Sequence, residues 1–193
     1  MSSEHDEASE GRFRSFGLVA VSVALVVGGA WAVLRTDDSP DAGVQAVDVT
    51  ASATAPRAGE AAVDFAALDA DGLPVSLAEH RGEAVWLTFG ASWCAACRSE
   101  APDIQAAYEA AAPAGVEVIS VALNEDAAAA AAYAQRTGAT FTQVPDPDAE
   151  ISSAYAVLGI PTHFFIDADG TVQSVKVGVL TREQMDQALA EIS

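Results

Sequence analysis

Residues 85–102, VWLTFGASWCAACRSEAP, contain both cysteines of this 193-residue chain. The first five of them, residues 85–89, form a compact apolar run that is typical of a buried strand. Residues 101–112 have helical composition and stop before Pro113, which terminates a helix. The cysteine pair is therefore predicted to lie where a buried strand ends and a helix begins.

Cys94 and Cys97 are predicted to form a reactive dithiol at this junction. The amino terminus of a helix supplies unpaired backbone N–H groups and about half a positive charge, which stabilise a thiolate at Cys94. Cys97 lies one turn further along and can resolve a mixed disulfide that Cys94 has formed. We expect no metal and no cofactor other than this redox-active Cys94–Cys97 disulfide.

The composition indicates a globular, acidic protein. Apolar residues make up 51% of the chain, and two cysteines are too few for a disulfide framework. Aspartate and glutamate number 28 against 9 lysines and arginines, for a net charge of −19. Such a surface repels phosphate backbones, which excludes nucleic acid as a partner, and it attracts cationic proteins.

An uncharged segment lies between Arg14 and Arg35. Its 20 residues, SFGLVAVSVALVVGGAWAVL, would span about 30 Å as a helix, which is the thickness of a bilayer's hydrocarbon core. We predict a transmembrane anchor at residues 15–35 and a cytoplasmic tail at residues 1–14, because Arg12 and Arg14 outnumber Arg35. The rest of the chain is then expected outside the cytoplasm.

A cleaved signal sequence is the alternative, because Ala30-Trp31-Ala32 resembles a signal-sequence processing site, in which two small residues flank one residue of any type. The apolar run is longer than a usual signal core, which favours the anchor, and both alternatives export the domain. Residues 36–59 are rich in Asp, Ala, Ser, Thr and Pro and are predicted to be a flexible linker. The globular domain is predicted to span residues 60–193.

The pattern after the cysteines predicts an α/β domain, since a strand, a helix and another strand imply a parallel pair with a crossover. Further strands are predicted at residues 116–123, 162–166 and 171–177. Further helices are predicted at residues 125–137, 149–155 and 181–192, the last with Thr181 as its cap.

Two Asp-Ala-Asp-Gly segments, residues 69–72 and 167–170, are predicted to be hairpin turns. The first joins short strands at residues 62–68 and 73–77, and the second joins the last two strands. A calcium loop would need a glutamate where the chain has His80 and Gly178, so neither segment is predicted to bind calcium.

The segment from Phe89 to Pro102 resembles the active-site segment of the thioredoxin superfamily and, within it, that of the membrane-anchored TlpA/ResA-type thiol-disulfide oxidoreductases. The resemblance runs from about residue 60 to the end and includes residues 159–162, GIPT, which are similar to the family's cis-proline element. It implies a thioredoxin-like three-layer α/β sandwich with a central mixed sheet and an added N-terminal hairpin, preceded by one transmembrane helix.

The resemblance also implies roles for single residues. Pro161 would face the dithiol, and the backbone at Ile160 would pair with the substrate chain as an added strand. Pro102 matches the proline that bends the family's first helix. Trp93 packs over the helix start, belongs to the substrate-facing surface, or does both. Glu100 matches an acidic residue that the family places just beyond its second cysteine, where it is implicated in proton handling.

The chain departs from the family at two points. The dipeptide between the cysteines is Ala-Ala, without the proline or glycine common there, which leaves the redox potential open. Thr88 replaces the buried aspartate of cytoplasmic thioredoxins, so Glu100 becomes the candidate proton acceptor. Glu100 lies three residues after Cys97 and therefore on the same helix face. A role as a favourable charge near the helix dipole is the alternative for Glu100.

The resemblance implies an extracytoplasmic enzyme that reduces protein disulfides through this dithiol. Apocytochrome c is one implied client class, and a membrane electron donor would resupply reducing equivalents. An oxidase acting in the opposite direction would use the same residues. We expect a monomer, because the sequence has no heptad pattern and no long exposed apolar stripe.

Two other functions compete with this one. A thioredoxin-fold copper chaperone would bind Cu(I) through the soft thiolates, with His163 as a third ligand, although such proteins usually space their cysteines by three residues. Zinc would need four ligands, which the chain hardly offers. A peroxiredoxin-like peroxidase would need a threonine three residues before the reactive cysteine, and Ala91 is found there.

Overall fold

The computed structural model describes residues 48–49 and 54–193. These residues belong to one compact unit, Gln45–Ser193. Within the described ranges, no helix is long and apolar enough to cross a membrane. The predicted tail, the predicted anchor and most of the predicted linker lie outside the described residues and stay predictions.

Eight strands and four α-helices make up the described part of the chain. The strands are β1 (Asp48–Val49), β2 (Phe65–Leu68), β3 (Pro74–Ser76), β4 (Ala84–Gly90), β5 (Val116–Leu123), β6 (Thr142–Asp146), β7 (Thr162–Ile166) and β8 (Val172–Val177). The helices are α1 (Ala95–Ala111), α2 (Ala127–Thr137), α3 (Glu150–Ala154) and α4 (Arg182–Ala190). Two short 3-10 helices occupy Leu77–His80 and Ala112–Ala114.

The central sheet is mixed, with its five strands in the order β6-β5-β4-β7-β8. Strands β4, β5 and β6 are parallel, whereas β7 and β8 run antiparallel to their neighbours. Strand β4 is buried along nearly its whole length, which accounts for its continuous apolar run. The predicted parallel pair and the predicted hairpin of the last two strands are both confirmed.

Successive side chains of β4 alternate between the two faces of the sheet, and each face buries its own core. Val85, Leu87 and Phe89 pack with residues of β2, β5, β7 and α3. Ala84 and Trp86 pack on the opposite face with residues of α1 and α4. The sheet therefore lies between a layer of helices and a layer formed by α3 and the small sheet, which confirms the three-layer α/β prediction.

A second, antiparallel sheet has the order β1-β2-β3. Strands β2 and β3 form the predicted N-terminal hairpin, and their turn is closed by Asp69 Oδ1, which accepts the N–H groups of Asp71 and Leu73 at 2.9 and 2.8 Å. Strand β1 was not expected, because it lies within the predicted linker. Asp167 Oδ1 closes the second Asp-Ala-Asp-Gly turn in the same way.

Helix boundaries follow from their caps. Thr181 caps α4 as predicted, and its side chain and that of Gln184 form a reciprocal capping box. Helix α2 begins at Ala127 rather than at residue 125, because Asp126 is its cap and accepts the Ala129 N–H at 2.8 Å. The helix ends where Gly138 adopts a left-handed conformation at φ 72°.

Strand β6 was not predicted from the sequence. Its sequence, TQVPD, contains Pro145, and a proline argues against a central strand. The structure places β6 at the edge of the sheet, where a missing N–H is tolerated.

Tyr155 connects segments of the layer that covers one face of the sheet. Its hydroxyl donates to the carbonyl oxygen of Val63 at 2.7 Å, and burial raises the pKa of this phenol. We predict that Tyr155→Phe lowers the free energy of unfolding by about 1–2 kcal/mol, because a buried carbonyl loses its donor. Tyr108→Phe is the control, and urea denaturation is the measurement. Equal effects of the two substitutions would contradict this role of the hydroxyl.

Candidate active site

Cys94 is the cap of α1, and its sulfur takes the position that a capping side chain takes in other helices. Its Sγ accepts the backbone N–H of Cys97 at 3.0 Å. The two cysteines are joined by a disulfide with an S–S distance of 2.19 Å. An amide at a helix amino terminus that points at sulfur stabilises negative charge on that sulfur once the disulfide opens.

The disulfide lies in a small apolar cluster. Cys94 and Cys97 are 8% and 4% exposed, and they pack with Ala91, Ala96 and Ile160. Trp93, next to Cys94, is 57% exposed, so the surface beside the disulfide is apolar and open to a partner. This exposure supports the substrate-facing alternative for Trp93.

The loop before β7 approaches Cys94 from the other side. The peptide bond between Ile160 and Pro161 is cis, and the Ile160 carbonyl oxygen lies 4.0 Å from Cys94 Sγ. This closeness follows from the sheet, in which Phe89 at the end of β4 pairs with Thr162 at the start of β7. The structure therefore brings Cys94, Cys97, Ile160 and Pro161 together.

Pro102 lies inside α1, which continues to Ala111. A proline has no N–H group, so the carbonyl four residues earlier, at Arg98, receives no helical hydrogen bond from it. Pro102 thus contributes to the shape of α1 behind the dithiol and not to the chemistry.

Glu100 is buried on the inner side of α1, only 2% exposed. One carboxylate oxygen, Oε2, accepts the N–H of Leu180 at 3.1 Å. The other, Oε1, lies 3.5 Å from His163 Nε2. A buried carboxylate held by a backbone donor is a better candidate for proton exchange than a charge placed at an exposed helix end.

Thr88 and His163 occupy paired positions on β4 and β7. Thr88 Oγ1 lies 3.0 Å from His163 Nδ1, and the indole N–H of Trp86 donates to the same nitrogen at 3.3 Å. Thr88, at the position where cytoplasmic thioredoxins have a buried aspartate, is thus part of a polar cluster with Trp86 and His163 that extends to Glu100.

A cavity of about 20 Å³ lies beside Cys97, between α1 and the sheet. Thr88, Gly90, Glu100 and Tyr133 are among the residues that border it together with Cys97. Its volume is sufficient for about one water molecule. A proton could therefore move between Cys97 and Glu100 without reaching the protein surface.

Tyr133 on α2 borders this cavity and donates its hydroxyl to the carbonyl oxygen of Cys97 at 3.2 Å. Its pKa is raised, first by burial and then by the negative charge of Glu100. The hydroxyl therefore stays protonated at neutral pH and fixes the first turn of α1.

Glu125 and Arg98 hold the loop that precedes Cys94. Glu125, 7% exposed, accepts the Ser92 N–H at 2.8 Å and contacts the Ser92 hydroxyl through its other oxygen. Arg98 donates to the Ser92 carbonyl oxygen at 2.9 Å. All three polar groups of Ser92 are thus bound, which fixes the path of the chain into the dithiol.

The sequence reasoning missed Glu125, Ser92 and Tyr133. Glu125 lies two residues after the end of β5, and Ser92 lies two residues after the end of its parallel neighbour β4. Because the carboxyl ends of adjacent parallel strands meet at one edge of a sheet, the position of Glu125 was the available signal. Tyr133 lies in an alanine-rich helix, and no feature of the sequence around it indicated that it lies near the dithiol.

Comparisons with known proteins agree with this geometry. Residues 58–175 match the model of the AhpC/TSA family. The thiol-disulfide oxidoreductase ResA of Geobacillus thermodenitrificans is 34% identical over 139 residues, which are 72% of this chain and 80% of that protein.

Solved structures show the same relationship. A thiol:disulfide interchange protein of the thioredoxin family from Chlorobium tepidum matches with a TM-score of 0.62 at 30% identity, over 74% of this chain and 99% of that one. A secreted disulfide oxidoreductase of Mycobacterium tuberculosis, homologous to DsbE of E. coli, matches with a TM-score of 0.60 at 26% identity, over 65% and 94%.

The fold and the dithiol at the start of α1 define a thioredoxin-fold enzyme of the thiol-disulfide oxidoreductase class. More particularly, the chain belongs to the AhpC/TSA family and, within it, to the ResA-type thiol-disulfide oxidoreductases. The thioredoxin-like fold implied by the sequence is confirmed.

We predict that Glu125→Ala lowers the free energy of unfolding by about 1.5–3 kcal/mol, because the Ser92 N–H loses a charged acceptor in a part-buried position. Glu79→Ala, which removes an exposed carboxylate far from the loop, should change it by less than about 0.5 kcal/mol. Chemical denaturation of both variants in the oxidised state is the measurement. If the two substitutions change the free energy of unfolding equally, Glu125 does not hold the loop.

Proposed function

We propose that this protein reduces disulfides of other proteins outside the cytoplasm through a Cys94/Cys97 dithiol–disulfide cycle. The observation that carries the proposal is the position of Cys94 Sγ, which caps α1 and lies beside the Ile160 carbonyl. The first contact stabilises a thiolate, and the second supplies a backbone edge on which a client chain can lie.

The cycle begins with the reduced dithiol. The Cys94 thiolate attacks one sulfur of the client disulfide, and the other client sulfur leaves as a thiolate that takes up a proton. Cys97 then loses its proton and attacks Cys94 Sγ, which forms the Cys94–Cys97 bond and releases the second client thiol. Two electrons have passed to the client, and the enzyme is left in the oxidised form.

Glu100 is proposed as the group that exchanges the proton with Cys97. It is buried, it lies on the same helix, and it borders the same cavity as Cys97. No cofactor beyond the disulfide is part of this proposal.

The contacts of His163 and Ala91 favour dithiol exchange over the two competing functions. His163 is fully buried, and its two nitrogens face Trp86, Thr88 and Glu100 rather than an open ligand position. Ala91, at the position where a peroxidase would need a hydroxyl, is 1% exposed and packs on the disulfide.

The setting that we propose is the outer face of a membrane. The uncharged segment at residues 15–34 and the basic residues before it support an anchor with the domain outside, and a relative of this fold is described as secreted. Apocytochrome c is the proposed client class, and a membrane thiol reductant is the proposed electron donor. The protein is proposed to act as a monomer.

Substitution of either cysteine should block the cycle, but at a different step. Cys94→Ser should abolish reduction of an insulin-like disulfide, because the attacking sulfur is lost. Cys97→Ser should still attack but accumulate a mixed disulfide with the client, because the resolving sulfur is lost. Turnover assays combined with non-reducing mass spectrometry measure both outcomes. A mixed disulfide on Cys97 in the Cys94→Ser variant, or turnover by either variant, would refute the assigned order.

The direction of electron flow is tested by the reduction potential. A reductase should have a value nearer to that of thioredoxin, about −270 mV, than to that of DsbA, about −120 mV. Equilibration in glutathione buffers, followed by the fluorescence of Trp93 next to the disulfide, gives the value. Cys97→Ser, which cannot form the internal disulfide, is the control for signals unrelated to the dithiol. A potential close to that of DsbA would show an oxidase.

A further inference from the structure

His163 is a fully buried side chain whose two ring nitrogens have different surroundings. Nδ1 lies 3.3 Å from the indole nitrogen of Trp86 and 3.0 Å from Thr88 Oγ1. Nε2 has no hydrogen-bond partner among the described residues, and the carboxylate oxygen of Glu100 lies 3.5 Å from it. A buried polar atom of this kind requires a physical explanation.

The contacts of Nδ1 determine where the imidazole carries its proton. An indole nitrogen can only donate a hydrogen bond, so Nδ1 must be the acceptor. In the neutral ring the proton is then on Nε2, the nitrogen that faces Glu100.

The Glu100 carboxylate lies on the Nε2 side of the His163 ring. Its Oε2 is held by the Leu180 N–H, and its Oε1 faces the His163 Nε2–H. Leu180, in the segment before α4, donates a hydrogen bond to the carboxylate, and His163, on β7, has a ring nitrogen at the longer distance of 3.5 Å. In this position Glu100 borders the cavity behind Cys97.

We propose that His163 is a positioning residue, whose Nε2–H orients the Glu100 carboxylate and stabilises its charge so that it can take the proton from Cys97. The inference rests on the proposed dithiol cycle. In the resolving step, the Cys97 proton moves to Glu100, directly or through one water in the cavity. The Cys97 thiolate forms the bond to Cys94, and the electron pair of the broken bond leaves on the client sulfur, which takes up a proton.

Other titratable groups near this pair do not replace His163. Tyr133, on α2, uses its hydroxyl on the Cys97 carbonyl, and burial raises its pKa. Lys176 on β8 is paired in register with His163, but its side chain is exposed. Arg98 and Glu125 are bound to Ser92, in the loop that precedes Cys94.

The charged side chains of the last helix also face away from Glu100. Arg182 pairs with Asp186 at 2.7 Å on the exposed side of α4, and Glu183 is exposed. His163 is therefore the side chain with a donor aimed at Glu100 within the described part of the chain.

Two substitutions distinguish the contributions of the two ring nitrogens of His163. His163→Asn keeps a polar group near the position of Nδ1, for Trp86 and Thr88, but removes the donor that faces Glu100. His163→Gln can place an amide N–H near the position of Nε2. The pair therefore compares variants of similar polarity that differ in the donor to Glu100.

The experiment follows single turnovers of the full-length chain in detergent with a symmetrical peptide disulfide. The first thiol released reports the attack by Cys94, and the second reports resolution by Cys97. On the acid side of its pH–rate profile, the second release by His163→Asn should be about tenfold slower, and the midpoint of the profile should move upward by about one unit, since a carboxylate loses a donor. The first release should be unchanged, and His163→Gln should restore most of the rate.

The same comparison in a Glu100→Gln background identifies the route of the effect. If His163 acts through Glu100, His163→Asn should slow resolution no further there. An equal slowing in both backgrounds, or an unchanged pH–rate profile, would show a structural role and overturn the inference. Failure of the wild-type chain to release either thiol would instead overturn the proposed function.

A measurement on the wild-type chain avoids dependence on any variant that fails to fold. Nitrogen-15 chemical shifts of the His163 ring distinguish the two neutral tautomers. A proton on Nε2 is the expected result, and a proton on Nδ1 overturns the inference.

Discussion

The antiparallel register between β4 and β7 is the constraint on which the site depends. Pairing of Phe89 with Thr162 brings the end of β4, which leads into Cys94, against the loop that contains Ile160. The next pair, Thr88 with His163, lies on the face covered by α1 and brings His163 to Glu100. A shift of one residue would turn every side chain of β7 to the other face and remove both contacts.

Local features of the site could be predicted from the sequence, and long-range ones could not. A buried strand followed by Cys-x-x-Cys and a helix is visible within residues 85–102, and Thr181 has the composition of a cap. The position of Glu125 beside Ser92 depends on the pairing of β4 with β5, and that of His163 beside Glu100 depends on strand register. Register is set by tertiary packing and is not encoded in any short segment.

The dithiol has an apolar side and a polar side. Ala91, Ala96 and Ile160 surround the sulfurs, whereas Glu100 and Tyr133 lie behind Cys97 together with a small cavity. In the proposed cycle, the apolar surroundings exclude water from the sulfur that meets the client, and Glu100 behind Cys97 accepts the proton. Nucleophilic attack and proton exchange then take place on opposite sides of one helix turn.

The narrow access to Cys94 limits the kind of chain on which such an enzyme can act. With 8% of that residue exposed, Cys94 Sγ is less accessible to a disulfide on a flat, rigid surface than to one in an extended, mobile strand that lies along Ile160. If the proposed function is correct, this access favours clients whose cysteines are still in unfolded segments over cystines enclosed in finished domains.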